Sequence, residues 1–314
     1  MWEEMIRDER VFVLGEDIGK RGGVFLATDG FIEEFGESRV IDTPLAESSI
    51  AGIGLGSALN GMRPIIEIEF ADFIWPTLNQ IVGEASKVRY GTGGKLNAPL
   101  VVRAPYGGGV RGALYHSQSV EMVFAHTPGL KVVVPATPYD AKGLLKSAIR
   151  DEDPVIFLEH KRTYRLVRGE IPSGEYILPI GQADIKLTGH DLSIITYGLM
   201  VHHCLEAAID LEKEGVSVEV IDLRTLRPLD VDTVLKSVKK TGKAMIVHED
   251  NRTFGIGGEI SAIICEDVFE YLDAPITRLA GPEVPSMPFS PPLESEFMLD
   301  SSEIAAAARM LAAY

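Results

Sequence analysis

The segment DTPLAESSIAGIGLG, residues 42–56, decides the fold of the first half of the chain. Ser48 and Ser49 begin a glycine-rich, apolar helix. Glu47, a lone carboxylate, lies directly before them at the N-terminus of this helix. A carboxylate that is buried without a partner loses its solvation, so it must find a partner or keep its proton. Glu47 is therefore a candidate proton donor.

Length, composition and charge limit the classes of protein to which the chain can belong. At 314 residues it exceeds the length that one hydrophobic core usually serves, which predicts two domains. Its 46% hydrophobic and 24% charged residues are typical of an ordered globular protein. The formal charge of −16 argues against nucleic acid and leaves solubility or a basic partner as explanations. No apolar run approaches the roughly 18 residues of a membrane helix, so no membrane contact is expected.

The cysteines and the first residues add two expectations. Cys204 and Cys265 have no CxxC spacing, which supports neither a disulfide framework nor a thiolate metal site and favours a reducing, cytoplasmic location. The opening residues MWEEMIRDER look like the last turns of a helix that leads into a strand. The natural start of the protein is therefore expected upstream.

Short apolar runs alternate with helical segments along the chain and predict buried parallel strands. In the first half these runs are 11–15, 63–70, 99–105, 131–135 and 154–159. Thr137 and Asp140 form a capping box before a helix that has Pro138 at its first position. A further helix is predicted from apolar residues at helical spacing, namely Leu78, Ile81, Val82, Ala85 and Val88.

The alternation of strands and helices is interrupted once along the chain and then resumes. Glycine, proline and alternating polar residues fill 161–190, and strands alternate with helices again from 191 onward. The pattern predicts two doubly wound α/β domains with right-handed crossovers. We assign the first domain to residues 1–175, a linker to 176–190 and the second domain to 191–314.

Three glycine-rich stretches suggest phosphate binding only weakly. Gly52, Gly54 and Gly56, with Glu67 or Glu69 as the ribose acid, would suggest a dinucleotide site, but they fall inside a helix and lack the x-x-G spacing. Close helix packing is the better explanation. The stretch 91–95 has the wrong spacing for a phosphate loop, and 255–259 suits an anion site or a plain helix cap equally well.

Two further side chains draw attention without deciding a function. His116 lies in the loop GGGVRGALYHSQS, whose glycines suit a mobile or closely approached backbone. A loop histidine is more often merely solvated than catalytic. Phe73 is suited either to the core or to a flat surface for a cofactor ring, with the core as the default.

Taken together, six stretches resemble the beta subunits of 2-oxoacid dehydrogenase complexes, which are thiamine-diphosphate enzymes of the transketolase superfamily. The resemblance covers nearly the whole chain. It implies a pyrimidine-binding domain followed by a transketolase C-terminal domain. The stretches are FVLGEDIG (12–19), DTPLAESSIAGIGLG (42–56), EFADFIWPTLNQIVGEASKVRY (69–90), GALYHSQS (112–119), PGLKVVVPATPYDAKGLL (128–145) and VEVIDLRTLRPLD (218–230).

The resemblance also implies roles for individual residues. The conserved glutamate of the family falls on Glu47, which would donate a hydrogen bond to the aminopyrimidine ring of thiamine diphosphate and favour its reactive tautomer. The stacking aromatic falls on Phe73, and Leu45 and Glu69 fall where the family lines that ring. The active-site histidine falls on His116, which would orient the acid or supply a proton during acyl transfer.

A motif that this chain lacks implies a partner. The superfamily holds the diphosphate and Mg²⁺ with a GDG motif that is followed by asparagine, and this motif is absent here. An alpha subunit is therefore expected to supply that half of the site in an α2β2 tetramer. Some members also hold potassium near the loop equivalent to Asp151, Glu152 and Asp153, where backbone carbonyls are the main ligands.

The resemblance implies a second partner and a reaction. The lipoyl acyltransferase of these complexes docks through a small basic domain onto the C-terminal domain, where Glu266, Asp267 and Glu270 lie. We expect oxidative decarboxylation of a branched-chain 2-oxo acid, with pyruvate dehydrogenase and acetoin dehydrogenase beta subunits as alternatives. Two other classes are a non-catalytic scaffold, which the joint presence of Glu47, Phe73 and His116 argues against, and a nicotinamide oxidoreductase, which would bind NADH by itself.

Overall fold

The computed structural model describes all 314 residues, from Met1 to Tyr314. Two β-sheets, each flanked by helices, follow one another along the chain. None of the helices combines the length and the apolar composition that crossing a bilayer requires.

The strands are, in chain order, β1 (Val11–Gly15), β2 (Val40–Asp42), β3 (Arg63–Glu67), β4 (Val101–Tyr106), β5 (Lys131–Val133), β6 (Val155–His160), β7 (Asp184–Leu187), β8 (Leu192–Thr196), β9 (Val218–Asp222), β10 (Thr225–Arg227), β11 (Ala244–Asn251) and β12 (Thr277–Gly281). The α-helices are α1 (Trp2–Arg7), α2 (Phe31–Phe35), α3 (Glu47–Leu59), α4 (Val88–Gly91), α5 (Glu121–Ala125), α6 (Pro138–Arg150), α7 (Thr163–Leu166), α8 (Met200–Lys213), α9 (Val231–Thr241), α10 (Ile256–Val268), α11 (Pro291–Phe297) and α12 (Ser301–Ala312).

The first sheet has seven strands in the order β10-β5-β6-β4-β3-β1-β2. All neighbours are parallel except β10, which runs antiparallel to β5. In register, Val13 lies opposite Ile65, and Ile65 lies opposite Val101. Every residue of β1, β4 and β6 is buried, as expected of parallel strands that helices cover on both faces. The predicted strands of the first half are confirmed.

The second sheet has five strands in the order β12-β11-β8-β9-β7, with β7 antiparallel to β9. The prediction of two α/β domains with parallel-rich sheets is confirmed. The predicted linker 176–190, however, contains β7, an edge strand of the second sheet. Polar residues alternate with apolar ones along β7, and here the apolar residues Ile185 and Leu187 are the exposed ones, so the sequence of this edge strand resembles that of a loop.

The two halves are joined more closely than two independent domains would be. Strand β10 comes from the second half of the chain but pairs with β5 of the first sheet, with Thr225 opposite Val133. One apolar core also runs from Phe12 and Ile66 of the first sheet to Ile195 and Ile246 of the second. The position of the second sheet is therefore fixed against the first.

Helix α6 begins as the sequence predicts, but the carboxylate of its acidic residue does not reach the N-cap backbone. Thr137 is the N-cap and accepts a hydrogen bond from the Asp140 N–H at 3.1 Å, with Pro138 next in the chain. A capping box would return the Asp140 carboxylate to the Thr137 backbone. Instead the Asp140 carboxylate accepts a hydrogen bond from the Thr137 hydroxyl at 2.6 Å, and it also binds Lys186 at 2.8 Å and Arg224 at 2.6 Å, both from the second half. The carboxylate therefore joins the two halves.

The predicted helix over 78–88 is not a regular α-helix, although its buried face is correct. Residues Asn79–Glu84 form a π-helix between 3-10 turns at Trp75–Thr77 and Ala85–Lys87. Ile81 and Ala85 are buried, as predicted. Apolar spacing reports which face is covered but does not distinguish an i→i+4 from an i→i+5 hydrogen-bond pattern.

Candidate active site

The carboxyl ends of the central strands of the first sheet meet at one edge, which is where α/β sheets bind their ligands. Strand β1 leads into Glu16, β3 into Glu69, and β4 into the loop that carries His116. Helix α3 begins after β2 and places Glu47 at the same edge. We refer to this edge as the crevice. Four chemically active side chains thus come from four different strand ends.

Glu47 is the first residue of α3, and its N-cap is Ala46, which makes no side-chain cap. Its side chain is half-buried, so the burial expected from the sequence is only partial in the single chain. Burial, followed by the charges of Asp17 and Glu47, raises the pKa of Glu16. Glu47 and Glu16 therefore share one electrostatic environment. Leu45, two residues before the helix, is 72% exposed.

Glu69 is a carboxyl group that the crevice favours in its neutral form. Burial, with the nearby charges of Glu16 and Asp17, raises the pKa of Glu69 to about 7. Arg21 opposes this shift only in part. At neutral pH a large share of the Glu69 carboxyl groups therefore carries a proton and can donate a hydrogen bond.

The structure brings Phe73 and His116 together. Phe73 ends a 3-10 turn over Ala71–Phe73, and its ring centroid lies 5.2 Å from that of His116. A second aromatic residue, Phe70, lies 4.5 Å from the same imidazole, and both contacts are edge-to-face. The two phenyl rings hold the half-buried imidazole, which indicates an ordered rather than a merely solvated histidine.

Two buried carboxylates hold the loop of His116 at its ends. At the start of the loop, the Gly108 N–H donates to Glu249 of β11 at 2.7 Å. After His116, the N–H groups of Ser117 and Gln118 each donate to Asp72 at 3.2 Å. Since hydrogen bonds to charged groups are the stronger ones, these carboxylates set the path of the loop.

The first glycine of this loop has a steric requirement. Gly107 has a φ of +85°, a conformation that residues with a side chain rarely adopt. A Cβ at this position would lie 2.1 Å from His160 Nε2. His160 is fully buried and contacts Glu249 at 2.9 Å, so it cannot move aside easily. Glycine therefore lets β4 turn directly into the loop.

A buried arginine binds Glu67, one of the two acids that a dinucleotide site would use to bind the ribose. Arg103 donates two hydrogen bonds to Glu159, at 2.9 and 2.6 Å, and also binds Glu67. Gly54 of α3 packs so closely on β3 that a Cβ there would lie 2.6 Å from Ile66. The helix glycines thus allow close packing, and Glu67 is not free to bind a ribose.

Sequence reasoning missed the residues that hold the site in place, namely Asp72, Glu249, His160 and Glu16. Asp72 lies between the apolar residues of FADFIWP, and Glu249 ends the apolar part of β11. When an acidic residue lies inside an apolar run, its carboxylate is expected to be buried and to accept hydrogen bonds in the interior. The signal does not say which loop provides the donors.

Comparison with known proteins agrees with this geometry. Residues 1–167 match the family model described as transketolase, pyrimidine binding domain, and residues 181–304 match transketolase, C-terminal domain. The chain is 59% identical to the 2-oxoisovalerate dehydrogenase subunit beta of Bacillus subtilis (strain 168), over all of this chain and 96% of that protein. The chain belongs to the family of 2-oxoacid dehydrogenase beta subunits. The family predicted from the sequence is confirmed, and it is a thiamine-diphosphate-dependent one.

Other relatives are named as pyruvate dehydrogenase subunits. The pyruvate dehydrogenase E1 component subunit beta of Bacillus subtilis (strain 168) is 52% identical over 91% of this chain and 88% of its own length. The protein of the same name from Staphylococcus aureus (strain N315) is 49% identical over 88% of this chain and 86% of its own length. A solved structure described as a split gene transketolase, inactive beta4 tetramer, has a TM-score of 0.79 at 22% identity. It covers 99% of this chain and 94% of its own, and at that identity it shows the fold alone.

The crevice contains two carboxyl groups and an aromatic ring, which fit the polar, planar pyrimidine half of thiamine diphosphate. Glu47 and Glu69 provide carboxyl groups, and the pKa of about 7 at Glu69 leaves a proton available there. Phe73 provides a half-buried aromatic ring. No three His, Cys, Asp or Glu side chains lie together in a way that could hold a metal ion.

The segment proposed for potassium lies at the opposite edge of the sheet. Asp151 binds Lys131 at 2.6 Å, and Asp153 binds Arg89 at 2.5 Å. Glu152 pairs with Arg63, which begins β3, whereas the crevice lies at the other end of that strand. Arg63 also donates to the backbone carbonyls of 149 and 151. These contacts occupy the oxygen atoms and do not favour a potassium ion, so that site stays a prediction.

Proposed function

We propose that this chain, together with an alpha subunit, catalyses the oxidative decarboxylation of branched-chain 2-oxo acids and the acylation of a lipoyl group. The observation that carries the proposal is the 59% identity, over the whole chain, to a 2-oxoisovalerate dehydrogenase beta subunit. The pyruvate dehydrogenase beta subunit of the same organism follows at 52% identity over 91% of the chain. Pyruvate is therefore the second candidate substrate, and the acetoin-cleaving type is a further alternative.

Each crevice residue has a role in this proposal. Thiamine diphosphate, when bound, supplies the nucleophilic carbon and the electron sink for decarboxylation. Glu47 donates a hydrogen bond to the pyrimidine ring nitrogen, Phe73 packs on the ring, and Leu45 and Glu69 line it. His116 holds or moves a proton near the reacting carbonyl during acyl transfer. An imidazole suits that role because its ordinary pKa lies close to neutrality.

The alpha subunit supplies the diphosphate and Mg²⁺ half of the site in an α2β2 tetramer. The absence of the GDG motif from this chain supports this division of labour. Leu45 and Trp75, at 72% and 45% exposure, are large apolar residues beside the crevice that a partner chain would cover. Closing the crevice would also complete the burial of Glu47.

The lipoyl acyltransferase docks on the C-terminal domain through its small basic domain. Glu266, Asp267 and Glu270 are exposed at the end of α10, and the net charge of −16 favours a basic partner. The location is cytoplasmic, which is consistent with two cysteines that form no disulfide.

The test is reconstitution of the whole enzyme. The chain is expressed with the alpha subunit, supplied with thiamine diphosphate and Mg²⁺, and assayed for carbon dioxide release from 2-oxo acids and for acetoin cleavage. The highest kcat/KM is expected for 2-oxoisovalerate and its branched homologues. A higher value for pyruvate would move the assignment to pyruvate dehydrogenase. Binding of NADH by the purified chain, without decarboxylation by the complex, would overturn the proposal.

A further inference from the structure

Lys161 is a buried lysine that none of the roles above explains. It follows β6 directly, is 3% exposed, and its backbone N–H donates to the carbonyl of Tyr106 at 3.0 Å. Its Nζ atom is buried and has no hydrogen-bond partner. A buried ammonium group without a partner is costly, so its presence calls for an explanation other than stability.

The charges around this ammonium group belong to the residues that hold the loop of His116. Asp72 and Glu249 are the two carboxylates whose attraction opposes the loss of its proton. Asp72 accepts the N–H groups that follow His116, and Glu249 accepts the N–H of Gly108 at the start of the loop. Lys161 is thus a buried cation that both anchors of one loop attract, although it forms an ion pair within 4.0 Å with neither.

The same ammonium group also lies over an aromatic ring of the site. Its Nζ atom is 5.5 Å from the ring centroid of Phe70, within the range of a cation–π contact. The Phe70 ring in turn packs on the imidazole of His116 with a centroid distance of 4.5 Å. Lys161 is therefore connected to His116 in two independent ways. It attracts the carboxylates that hold the loop of His116, and it contacts the aromatic ring on which the imidazole packs.

We propose that Lys161 is a positioning residue for His116, since its ammonium group draws Asp72, Glu249 and the face of Phe70 into one arrangement at the base of the loop. The inference rests on the proposed function, because His116 must act in the reaction for its position to matter. Lys161 itself touches neither substrate nor cofactor.

Another buried lysine shows what a purely structural one looks like. Lys146 is 4% exposed, but its Nζ atom binds Glu3 at 2.8 Å and lies 3.8 Å from Glu4. At Lys161, burial outweighs the attraction of Asp72 and Glu249 and lowers the pKa to about 8. The fold therefore favours the neutral amine at Lys161, although neutral pH keeps it charged. An uncharged side chain of similar length should suit the fold at least as well.

The experiment compares Lys161→Met with the control Lys146→Met in the reconstituted tetramer, with the 2-oxo acid that the wild type uses best. Two rates are measured: decarboxylation with an artificial electron acceptor, and acyl transfer to free lipoamide. Misplacing a reacting group by about 1 Å costs on the order of 100-fold. We expect Lys161→Met to lower the transfer rate by about 10- to 100-fold and the decarboxylation rate by less. Lys146→Met should leave both rates unchanged and lower the melting temperature.

The pH profile and the melting temperature separate positioning from stability. The titratable or charged groups around Lys161 are Asp72, Glu249 with its partner His160 and, across Phe70, His116. The wild-type transfer rate should fall as the pH rises through about 8 and Lys161 loses its proton. Lys161→Met should lack this decline and should melt at the wild-type temperature or above it.

The outcomes decide between the alternatives. A Lys161→Met enzyme with wild-type transfer, or one that melts lower and loses both rates in proportion, would overturn the positioning role. A wild-type tetramer that decarboxylates none of the 2-oxo acids would instead contradict the proposed function. The wild-type rate, measured first, distinguishes the two failures.

Discussion

The Gly108 N–H donates a hydrogen bond of 2.7 Å to the Glu249 carboxylate, across the boundary between the two sheets. Gly108 is the second residue of the loop that carries His116, and Glu249 belongs to β11 of the second sheet. The other oxygen of the same carboxylate contacts His160 at 2.9 Å. The second domain therefore sets the position of a residue in the crevice of the first.

Replacing this carboxylate by an amide should weaken both the fold and the reaction. Hydrogen bonds to charged groups contribute roughly 1.5–3 kcal/mol, so Glu249→Gln should lower the free energy of unfolding by about that amount. It should also reduce acyl transfer, because the start of the loop is held less firmly. Urea unfolding and the two rate assays measure these effects. Glu283→Gln is the control, since Glu283 also accepts a backbone N–H, from Thr253 at 2.9 Å, but is exposed.

The contribution of Glu249 to stability should also depend on pH. Burial alone would raise its pKa, but His160, the Gly108 N–H and Lys161 outweigh burial and the pKa lies below its ordinary value. A carboxyl with a lowered pKa stabilises the fold above its ordinary pKa of about 4.5, and this stability is lost as the pH falls through the folded value. The difference in stability between wild type and Glu249→Gln should therefore shrink in acid. A difference that stays constant from pH 7 to pH 3 would show that the charge does not matter.

Glu47→Gln should abolish most decarboxylation and leave the tetramer intact. An amide of the same shape keeps the packing at the start of α3 but cannot deliver a proton to a ring nitrogen. General acid–base groups contribute typically 10²- to 10⁴-fold, so kcat should fall by about that factor. Carbon dioxide release measures the decarboxylation rate, and size-exclusion chromatography shows whether the tetramer is intact. The matched control is Glu33→Gln, an exposed acid in the first turn of α2, and activity near wild type in Glu47→Gln would refute the donor role.

His116→Ala should affect the transfer step more than decarboxylation. The imidazole makes edge-to-face contacts with Phe70 and Phe73, and such contacts contribute about 1 kcal/mol each, so the free energy of unfolding should fall by about 2 kcal/mol. The rate with lipoamide should fall more than the rate with an artificial electron acceptor. His190→Ala, at an exposed loop position, serves as the control. Equal losses in both assays would argue against a transfer role.

The sequence predicted the elements more completely than the contacts. Runs of apolar residues located β1, β4 and β6 because strands buried on both faces leave an unmistakable pattern. They missed β7, since an exposed edge strand is half polar, and they missed the π-helix at 79–84, since apolar spacing does not define hydrogen bonding.

In the candidate site, too, individual residues could be predicted from the sequence but most of their contacts could not. Family resemblance pointed to Glu47, Phe73 and His116, and the structure brings the last two into contact. The anchors of the loop could not be predicted, because Glu249 lies 141 residues from Gly108 in sequence. Only the way the second sheet packs on the first brings these two residues together.

Glu69 should give the fold a stability that declines between acid and neutral pH. Burial, with the charges of Glu16 and Asp17, raises its pKa from 4.5 to about 7. The folded chain therefore binds a proton more tightly than the unfolded chain does, and this contribution is complete below about pH 4.5 and is lost as the pH rises through 7.

An amide at this position cannot titrate, so Glu69→Gln should remove the decline that Glu69 causes. The melting temperatures of wild type and variant should be close at pH 5, and the variant should melt higher at pH 8. The control is Glu37→Gln, which replaces an exposed acid of the first domain and should leave the pH dependence unchanged. A variant that follows the wild-type curve over the whole range would mean that Glu69 is charged in the crevice at neutral pH. It could then line the cofactor ring only as a hydrogen-bond acceptor.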